Sequence, residues 1–305
     1  MISKKFCVWC RTIPSPFTPE SPVTVRAYAK INLGLRILRK RPDGYHDIET
    51  VFHRIDLFDE LSLSPAAEIE VISDSEAAPG DEKNLCHRAA RMLRERAGVR
   101  HGVSIRLAKR IPVGAGCGGG SSDAAAVLRT LPRLWGVGIT GESLLSVAAE
   151  LGSDVPYFLA DGSAAASGRG EILDYFTLDL PFAILLCNPG IPVSTAWAYG
   201  EIIPRSDPTR PPLREIIAGG IAEPSRLQEE LVNDFEGPVF RQHPAIRTIK
   251  EEMIANGAAY ASLSGSGSSV FGFFRQLPAA RALSEKFQSA GYRTAVTPPH
   301  FQPPP

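Results

Sequence analysis

Five glycines fall between residues 114 and 120 (Gly114, Gly116, Gly118, Gly119 and Gly120), and Ser121, Ser122 and Asp123 follow at once. Glycine tolerates positive φ and lets a backbone approach a ligand that a side chain would block. Ala124, Ala125, Ala126 and Leu128 then favour helix, with Ser121 to Asp123 as the expected N-cap residues. The chemistry of such a stretch is anion binding: bare N–H groups feed the positive end of a helix, where phosphate is held. Gly114, Gly116 and Gly119 also satisfy G-x-G-x-x-G. A dinucleotide turn, however, follows a strand directly and is trailed by an acid about 20 residues on. Pro112 before the glycines and the acid-free run from Trp135 to Ile139 argue against that turn. A Walker loop is excluded because no G-K-[ST] follows, and the nucleophile elbow G-x-S-x-G of serine hydrolases is absent.

By spacing alone the other polar residues read more plainly. Lys30 lies in an extended apolar segment, where a lysine ordinarily faces solvent. Ser153-Asp154-Val155-Pro156 reads as a cap or turn, and Pro42-Asp43-Gly44 as a turn before a strand opened by Tyr45 and His46. Lys109 and Arg110 are either solvated or placed to meet a nucleotide beside the glycine loop. Ser264 to Ser269 (S-G-S-G-S-S) is a small-residue loop between two strands. Cys7 and Cys10 form C-x-x-C without a second ligand pair or a thioredoxin-like context. The six histidines are scattered singly, so no metal cluster is proposed from them.

Several of these stretches carry a resemblance. P-V-G-A-G-C-G-G-G-S-S-D-A-A resembles the phosphate loop of the GHMP kinases, named for galactokinase, homoserine, mevalonate and phosphomevalonate kinases; leucine is usual where Cys117 stands. A-K-I-N-L-G-L resembles the family's first motif. G-S-D-V-P-Y-F is similar to the segment around its catalytic aspartate, with Tyr157 in place of a phenylalanine, and A-A-S-G-R-G-E also has a family form. S-G-S-G-S-S resembles the third motif, which packs against the glycine loop. The turn P-D-G-Y-H is similar to the cytosine-binding element of the branch acting on a cytidyl-linked substrate.

The resemblance runs from Val23 to Val296 and implies an α+β, two-domain GHMP kinase fold. The N-terminal domain would be like ribosomal protein S5 domain 2 and the C-terminal domain ferredoxin-like. It implies phosphoryl transfer from ATP, with magnesium expected and its ligands unassigned, to the 2-hydroxyl of a diphosphocytidyl-linked methylerythritol of non-mevalonate isoprenoid synthesis. In that scheme Asp154 takes the proton of the attacking hydroxyl, and Lys30 supports Asp154 and draws the hydroxyl towards the γ-phosphate. Lys109, Pro112, Val113, Gly114, Ala115, Gly116, Cys117, Gly118, Gly119, Gly120, Ser121 and Ser122 would hold the nucleotide. Asn32, Tyr45, His46, Asp154, Thr195 and Tyr199 would hold the acceptor, with Tyr199 stacked on the far side of cytosine. Two alternatives stand beside this one. A GHMP kinase for another small alcohol, such as homoserine or mevalonate, is opposed by the P-D-G-Y-H turn and Tyr199. A nucleotide-binding regulator without catalysis is opposed by the presence of both Lys30 and Asp154.

The elements that must position these residues are legible in outline. Val23, Val25, Ala27 and Ala29 alternate with polar residues, predicting a strand through Leu35, and a second strand is expected from Tyr45 to Ile55. Helices are expected over Glu82–Ala97 and Leu144–Leu151, a strand over Val103–Leu107 and a hairpin around Gly168–Gly170. Pro181–Cys187 reads as a buried strand, and a helix capped by Ser194 or Thr195 follows. Residues 201–225, rich in proline and glycine, read as a surface insertion. Leu231–Glu236 and Ile246–Ile254 read as helical, Ala258–Leu263 and Val270–Phe274 as strands, and Leu283–Ala290 and Arg293–Val296 as a last helix and strand.

Domains are expected at 23–180 (nucleotide-binding) and 181–298, after a disordered or mis-started extension at 1–22 and before a tail, 299–305, with no evident role. At 305 residues two domains are the default. Lys plus Arg and Asp plus Glu balance at 33 each, giving no basic excess for nucleic acid or membrane. No apolar run approaches the ~18 residues of a membrane helix, and five cysteines do not make a disulfide framework. A cytoplasmic enzyme, monomeric or homodimeric, is the expectation.

Overall fold

A computed structural model describes residues 22–204, 207 and 209–304. The expected extension, with its Cys7 and Cys10, therefore lies outside the described residues. In chain order the first elements are β1 (Val23–Lys40), β2 (His46–Ala66), β3 (Ile69–Ser73), α1 (Leu85–Ala97), β4 (Gly102–Ala108), α2 (Gly119–Trp135) and α3 (Gly141–Leu151). A 3-10 turn, Pro156–Leu159, precedes β5 (Ser163–Ser167), β6 (Ile172–Phe176), β7 (Ala183–Asn188) and α4 (Thr195–Gly200). Then come α5 (Leu213–Ala222), α6 (Pro224–Glu230), α7 (Glu236–Gln242) and α8 (Pro244–Ala255). The series ends with β8 (Tyr260–Leu263), β9 (Val270–Phe274), α9 (Leu277–Ser289) and β10 (Arg293–Thr297).

By compactness the chain divides into two units, one formed by the chain up to Ala27 with Asp59–Lys109 and Gly120–Ala160, the other by Tyr28–Phe58, Arg110–Gly119 and Asp161 onwards. This partition differs from the sequential one at residue 181. The long strands β1 and β2 each contribute to both units, so no single cut along the chain reproduces it.

In the first unit the far half of β2 runs antiparallel to β4, from Glu60 opposite Ala108 to Ala66 opposite Gly102, and β3 lies parallel on the other edge of β4. Strand β3 has no counterpart in the sequence reading. Helix α1 begins after Asn84, whose side chain accepts from Cys86 N–H, rather than at Glu82. It buries Cys86, Ala89, Ala90 and Leu93. Helix α2 begins at Gly119, so Ser121, Ser122 and Asp123 lie inside its first turns and do not cap it. The reason is that the positive-φ residues stop at Gly118, and Asp123 is drawn to a buried cation instead of to the helix end. Thr140 caps α3 as the acceptor from Ser143 N–H.

In the second unit β1 and β2 pair around the Arg41–Tyr45 turn, closed by Arg41 N–H to Tyr45 O at 2.8 Å. Thr50–Phe52 of β2 run antiparallel to β5, which forms the expected hairpin with β6. A four-stranded antiparallel sheet has the order β10-β7-β9-β8. With α8 before β8 and α9 between β9 and β10, this is the split β-α-β arrangement of a ferredoxin-like fold, as expected. Strand β7 is buried along its whole length because alternate residues feed two clusters. Ala183, Leu185 and Cys187 join Val239, Ile246, Ile249 and Phe287. Ile184 and Leu186 join Phe182, Tyr260, Phe271 and Phe273.

Three sequence readings are corrected here. Residues 201–225 are not simply a surface insertion: Leu213, Ile216 and Ile217 of α5 are buried in the second cluster, one helical turn of apolar side chains hidden among prolines and glycines. Leu231–Phe235 is not helical. Asn233 bridges to Leu35 as an isolated strand pair, and its buried amide donates to Leu263 O at 2.8 Å and Gly265 O at 2.9 Å while accepting from Phe235 N–H. The tail is engaged, with His300 N–H bonded to Leu180 O and the Phe301 ring 5.9 Å from Tyr28.

Asn233→Ala removes three hydrogen bonds and strands their buried partners. It is expected to cost about 2–4 kcal/mol in denaturant unfolding. A loss below about 0.5 kcal/mol, the size of an ordinary surface substitution, would contradict this role for Asn233.

Candidate functional site

The glycine loop in the second unit is held from behind. Ile111, Pro112, Ala115 and Cys117 are buried, whereas Val113 and Gly114 face outward. Gly114, Gly116 and Gly118 adopt φ of 67°, 78° and 67°. At Gly116 a Cβ would lie 1.9 Å from the Ser264 carbonyl oxygen, so any side chain there collides with backbone. Ser264 Oγ donates to Gly116 O at 2.9 Å, and Ser269 N–H to Ala115 O at 3.3 Å. The Cys117 thiol reaches Ser269 Oγ at 3.4 Å, and burial pushes its pKa up, so it packs as a neutral thiol. The S-G-S-G-S-S loop therefore packs on the glycine loop.

Strand β1 is buried from Ala27 to Ile37, with Lys30 among those residues. The solvent-facing alternative for this lysine fails, since the residue is 4% exposed. Its backbone N–H donates to Cys117 O at 3.0 Å, and Nζ donates to Asn32 Oδ1 at 2.6 Å. Asn32 in turn donates to Thr50 Oγ1 at 3.0 Å, and the Thr50 hydroxyl to Gly34 O at 2.6 Å. Nζ also stands 4.9 Å over the Phe52 ring. The ammonium is thus aimed by a buried chain of neutral groups on β1 and β2.

The second unit also collects the residues assigned to the base. The His46 and Tyr199 rings stack at 4.9 Å and 14°, and Phe235 meets Tyr199 edge-on at 4.9 Å. Burial, with Lys40 as a second cause, lowers the pKa of His46, which keeps the ring neutral with one donor and one acceptor nitrogen. Tyr45 is 54% exposed, with the Arg169 guanidinium 4.7 Å over its ring. Ser194, of the two expected candidates, caps α4 by accepting from Trp197 N–H. Thr195 Oγ1 lies 2.9 Å from Ser266 Oγ.

In the first unit, Asp154 follows Gly152, the end of α3, and precedes the 3-10 turn. Val155, Tyr157 and Phe158 are buried, and the last two rings meet edge-on at 4.9 Å, which anchors the turn. Gly120 to Ser122 open α2, with Ser122 buried. Lys109 is nearly sealed: its Nζ contacts Asp59 at 2.5 Å and Asp123 at 2.8 Å. Burial raises the pKa of Asp123, with Lys109 opposing the shift and Asp59 adding to it. Sequence reasoning missed Asp59 altogether. Its only local signal is an acid at a position of β2 that the alternation leaves buried. Among the described residues no cluster of three or more His, Cys, Asp and Glu side chains is placed to hold a metal ion.

Comparison with known proteins adds to this geometry. Residues 84–162 match the family described as GHMP kinases N terminal domain, and residues 213–293 that described as GHMP kinases C terminal. A protein of Prosthecochloris aestuarii (strain DSM 271 / SK 413) named 4-diphosphocytidyl-2-C-methyl-D-erythritol kinase is 46% identical over 281 residues, spanning 92% of this chain and 98% of that one. A crystal structure of 4-(cytidine 5'-diphospho)-2C-methyl-D-erythritol kinase superimposes with TM-score 0.77 at 37% identity, covering 90% of this chain and 98% of the other. A homoserine kinase from Cytophaga hutchinsonii ATCC 33406 shares the fold, with TM-score 0.65 at 20% identity over 92% of this chain and 95% of its own.

Lys109→Met would leave Asp59 and Asp123 buried without their cation, an expected loss of about 3–5 kcal/mol of stability by denaturant unfolding. Asp123→Asn keeps one ion pair and should cost clearly less. Folded Asp123 binds its proton more tightly than unfolded Asp123, so it adds stability as pH falls from its raised value towards the ordinary carboxylate range. Asp123→Asn should remove that part of the pH dependence, and identical pH profiles for the two proteins would contradict the assignment.

Proposed function

The chain belongs to the GHMP kinase family of small-molecule kinases, and we propose that it transfers the γ-phosphoryl group of ATP to the 2-hydroxyl of 4-diphosphocytidyl-2-C-methyl-D-erythritol. The reaction serves isoprenoid precursor synthesis by the non-mevalonate route, in the cytoplasm. The single observation that carries the choice of acceptor is the His46–Tyr199 stack beside Tyr45. A tyrosine ring stacked with a neutral imidazole, which has both a donor and an acceptor nitrogen, suits a pyrimidine, whose stacking is worth ~1–3 kcal/mol. Homoserine and mevalonate carry no ring to use it.

In this reading the main-chain N–H groups of residues 114–119 and the start of α2 receive the triphosphate. Phosphoryl transfer depends chiefly on positioning and on neutralising charge on the equatorial oxygens, which fixed backbone dipoles supply. The acceptor oxygen forms the new P–O bond as the bond to the β,γ-bridging oxygen breaks and ADP leaves. The acceptor's proton passes to the Asp154 carboxylate. The Lys30 ammonium, aimed by Asn32, draws the acceptor oxygen towards the phosphorus. Cytosine lies against Tyr199, with Tyr45 as the second aromatic wall, and His46 and Thr195 supply polar contacts. Magnesium would be carried on the triphosphate, since Mg2+ is commonly held by one or two carboxylates together with substrate phosphates.

The test is a turnover assay with ATP and a panel of acceptors. Phosphorylation of the cytidyl substrate, with none of homoserine or mevalonate, is expected. Preference for either small alcohol would overturn the choice of acceptor. Asp154→Asn should lower kcat by about 10²–10⁴-fold if the carboxylate takes the proton. A drop of less than tenfold in a folded protein would remove Asp154 from that role.

A further inference from the structure

The loop of residues 264–269 is tied on two sides. Towards the nucleotide loop it holds Gly116 O through Ser264 Oγ at 2.9 Å, and Ala115 O through Ser269 N–H at 3.3 Å. Towards the end of β7, Asn188 Nδ2 donates to Ser268 Oγ at 3.2 Å and to Ser269 Oγ at 3.1 Å. Ser266 Oγ pairs with Thr195 Oγ1 at 2.9 Å. From below, Asn233 clamps Leu263 O and Gly265 O. Ser264, Ser266, Ser268 and Ser269 are all buried, so the loop is fixed on every side on which the structure records a bond.

Thr195 is different: it is exposed and opens α4, the short helix that carries Tyr199 against His46. A hydroxyl rotates to suit its partner, and an exposed threonine ordinarily has only water to orient it. Here a buried serine, in a loop that Ser264 and Ser269 tie to the glycine loop, orients it and leaves hydrogen-bonding capacity for a ligand.

We infer that Ser266 is a positioning residue: its hydroxyl sets the Thr195 hydroxyl and the start of α4, and so the Tyr199 ring, in fixed register with the phosphate-binding loop. The inference rests on the reading of Thr195 and Tyr199 as acceptor-binding groups. It adds that donor and acceptor contacts in this unit are referenced to one another through a single serine loop, and it assigns Ser266 no contact with substrate.

Steady-state kinetics of Ser266→Ala tests this, with ATP and the cytidyl substrate varied separately. Loss of one neutral hydrogen bond should raise KM for the cytidyl substrate about 3–10-fold. KM for ATP should stay within about twofold of wild type, and Ser266→Thr, which retains a hydroxyl, should restore the cytidyl KM. Thr195→Val removes the same bond from the exposed side, where folding is not at stake. Ser266→Ala should then add nothing to it, as expected for two halves of one interaction. An equal rise in both KM values, or full additivity with Thr195→Val, overturns the positioning role. Tyr199→Ala separates the two levels. If it raises the cytidyl KM while Ser266→Ala does not, the acceptor pocket stands and the inference about Ser266 falls. If Tyr199→Ala leaves that KM unchanged, the pocket itself is misassigned and the inference falls with it.

Discussion

The Ser264 carbonyl stands where a side chain of residue 116 would begin, and the two backbones meet with no room for a Cβ. This contact makes a glycine-rich stretch into a shaped surface. A loop of glycines in solution has many conformations and no fixed array of donors. Pressed against a serine loop that is itself clamped by Asn188 and Asn233, its N–H groups are held in a fixed array. Preorganisation of that kind is what phosphoryl transfer demands of a protein, because the protein has little covalent chemistry to perform.

Buried polar groups do the remaining work. Lys30, Asn32 and Thr50 form a chain ending on the Gly34 carbonyl, and Lys109 lies between two carboxylates. Each arrangement resolves the same problem, that a charge removed from water needs partners of fixed geometry. The outcomes differ. The neutral chain around Lys30 aims one ammonium. The cluster around Lys109 is nearly closed and holds β2, the end of β4 and α2 together within the first unit.

The unequal legibility of the chain has physical causes. The glycine loop, the β5–β6 hairpin and the strand at β7 were readable because turn chemistry and apolar runs are local signals. The burial of Lys30 was not, because β1 is covered on both faces and alternation ceases to report exposure there. Leu213, Ile216 and Ile217 have helical spacing, but Pro211, Pro212, Gly219 and Gly220 around them gave the composition of a loop. Leu231 to Phe235 looked helical until Asn233 spent its amide on two carbonyls of another segment. The partnership of Asp59, Lys109 and Asp123 joins residues distant in sequence, with no spacing rule to announce it. The roles of Asp154 and Tyr199 came only from family resemblance, since each is unremarkable in its own stretch.

The most direct measurement of the central claim is the affinity of Gly116→Ala for a non-hydrolysable ATP analogue, determined by calorimetry alongside its unfolding curve. A methyl group forced against the Ser264 carbonyl, at a φ that disfavours it, must displace the cradle. The account predicts at least a tenfold loss of nucleotide affinity, about 1.4 kcal/mol or more, in a protein that still unfolds cooperatively. Wild-type affinity in that variant would mean that the triphosphate is held elsewhere.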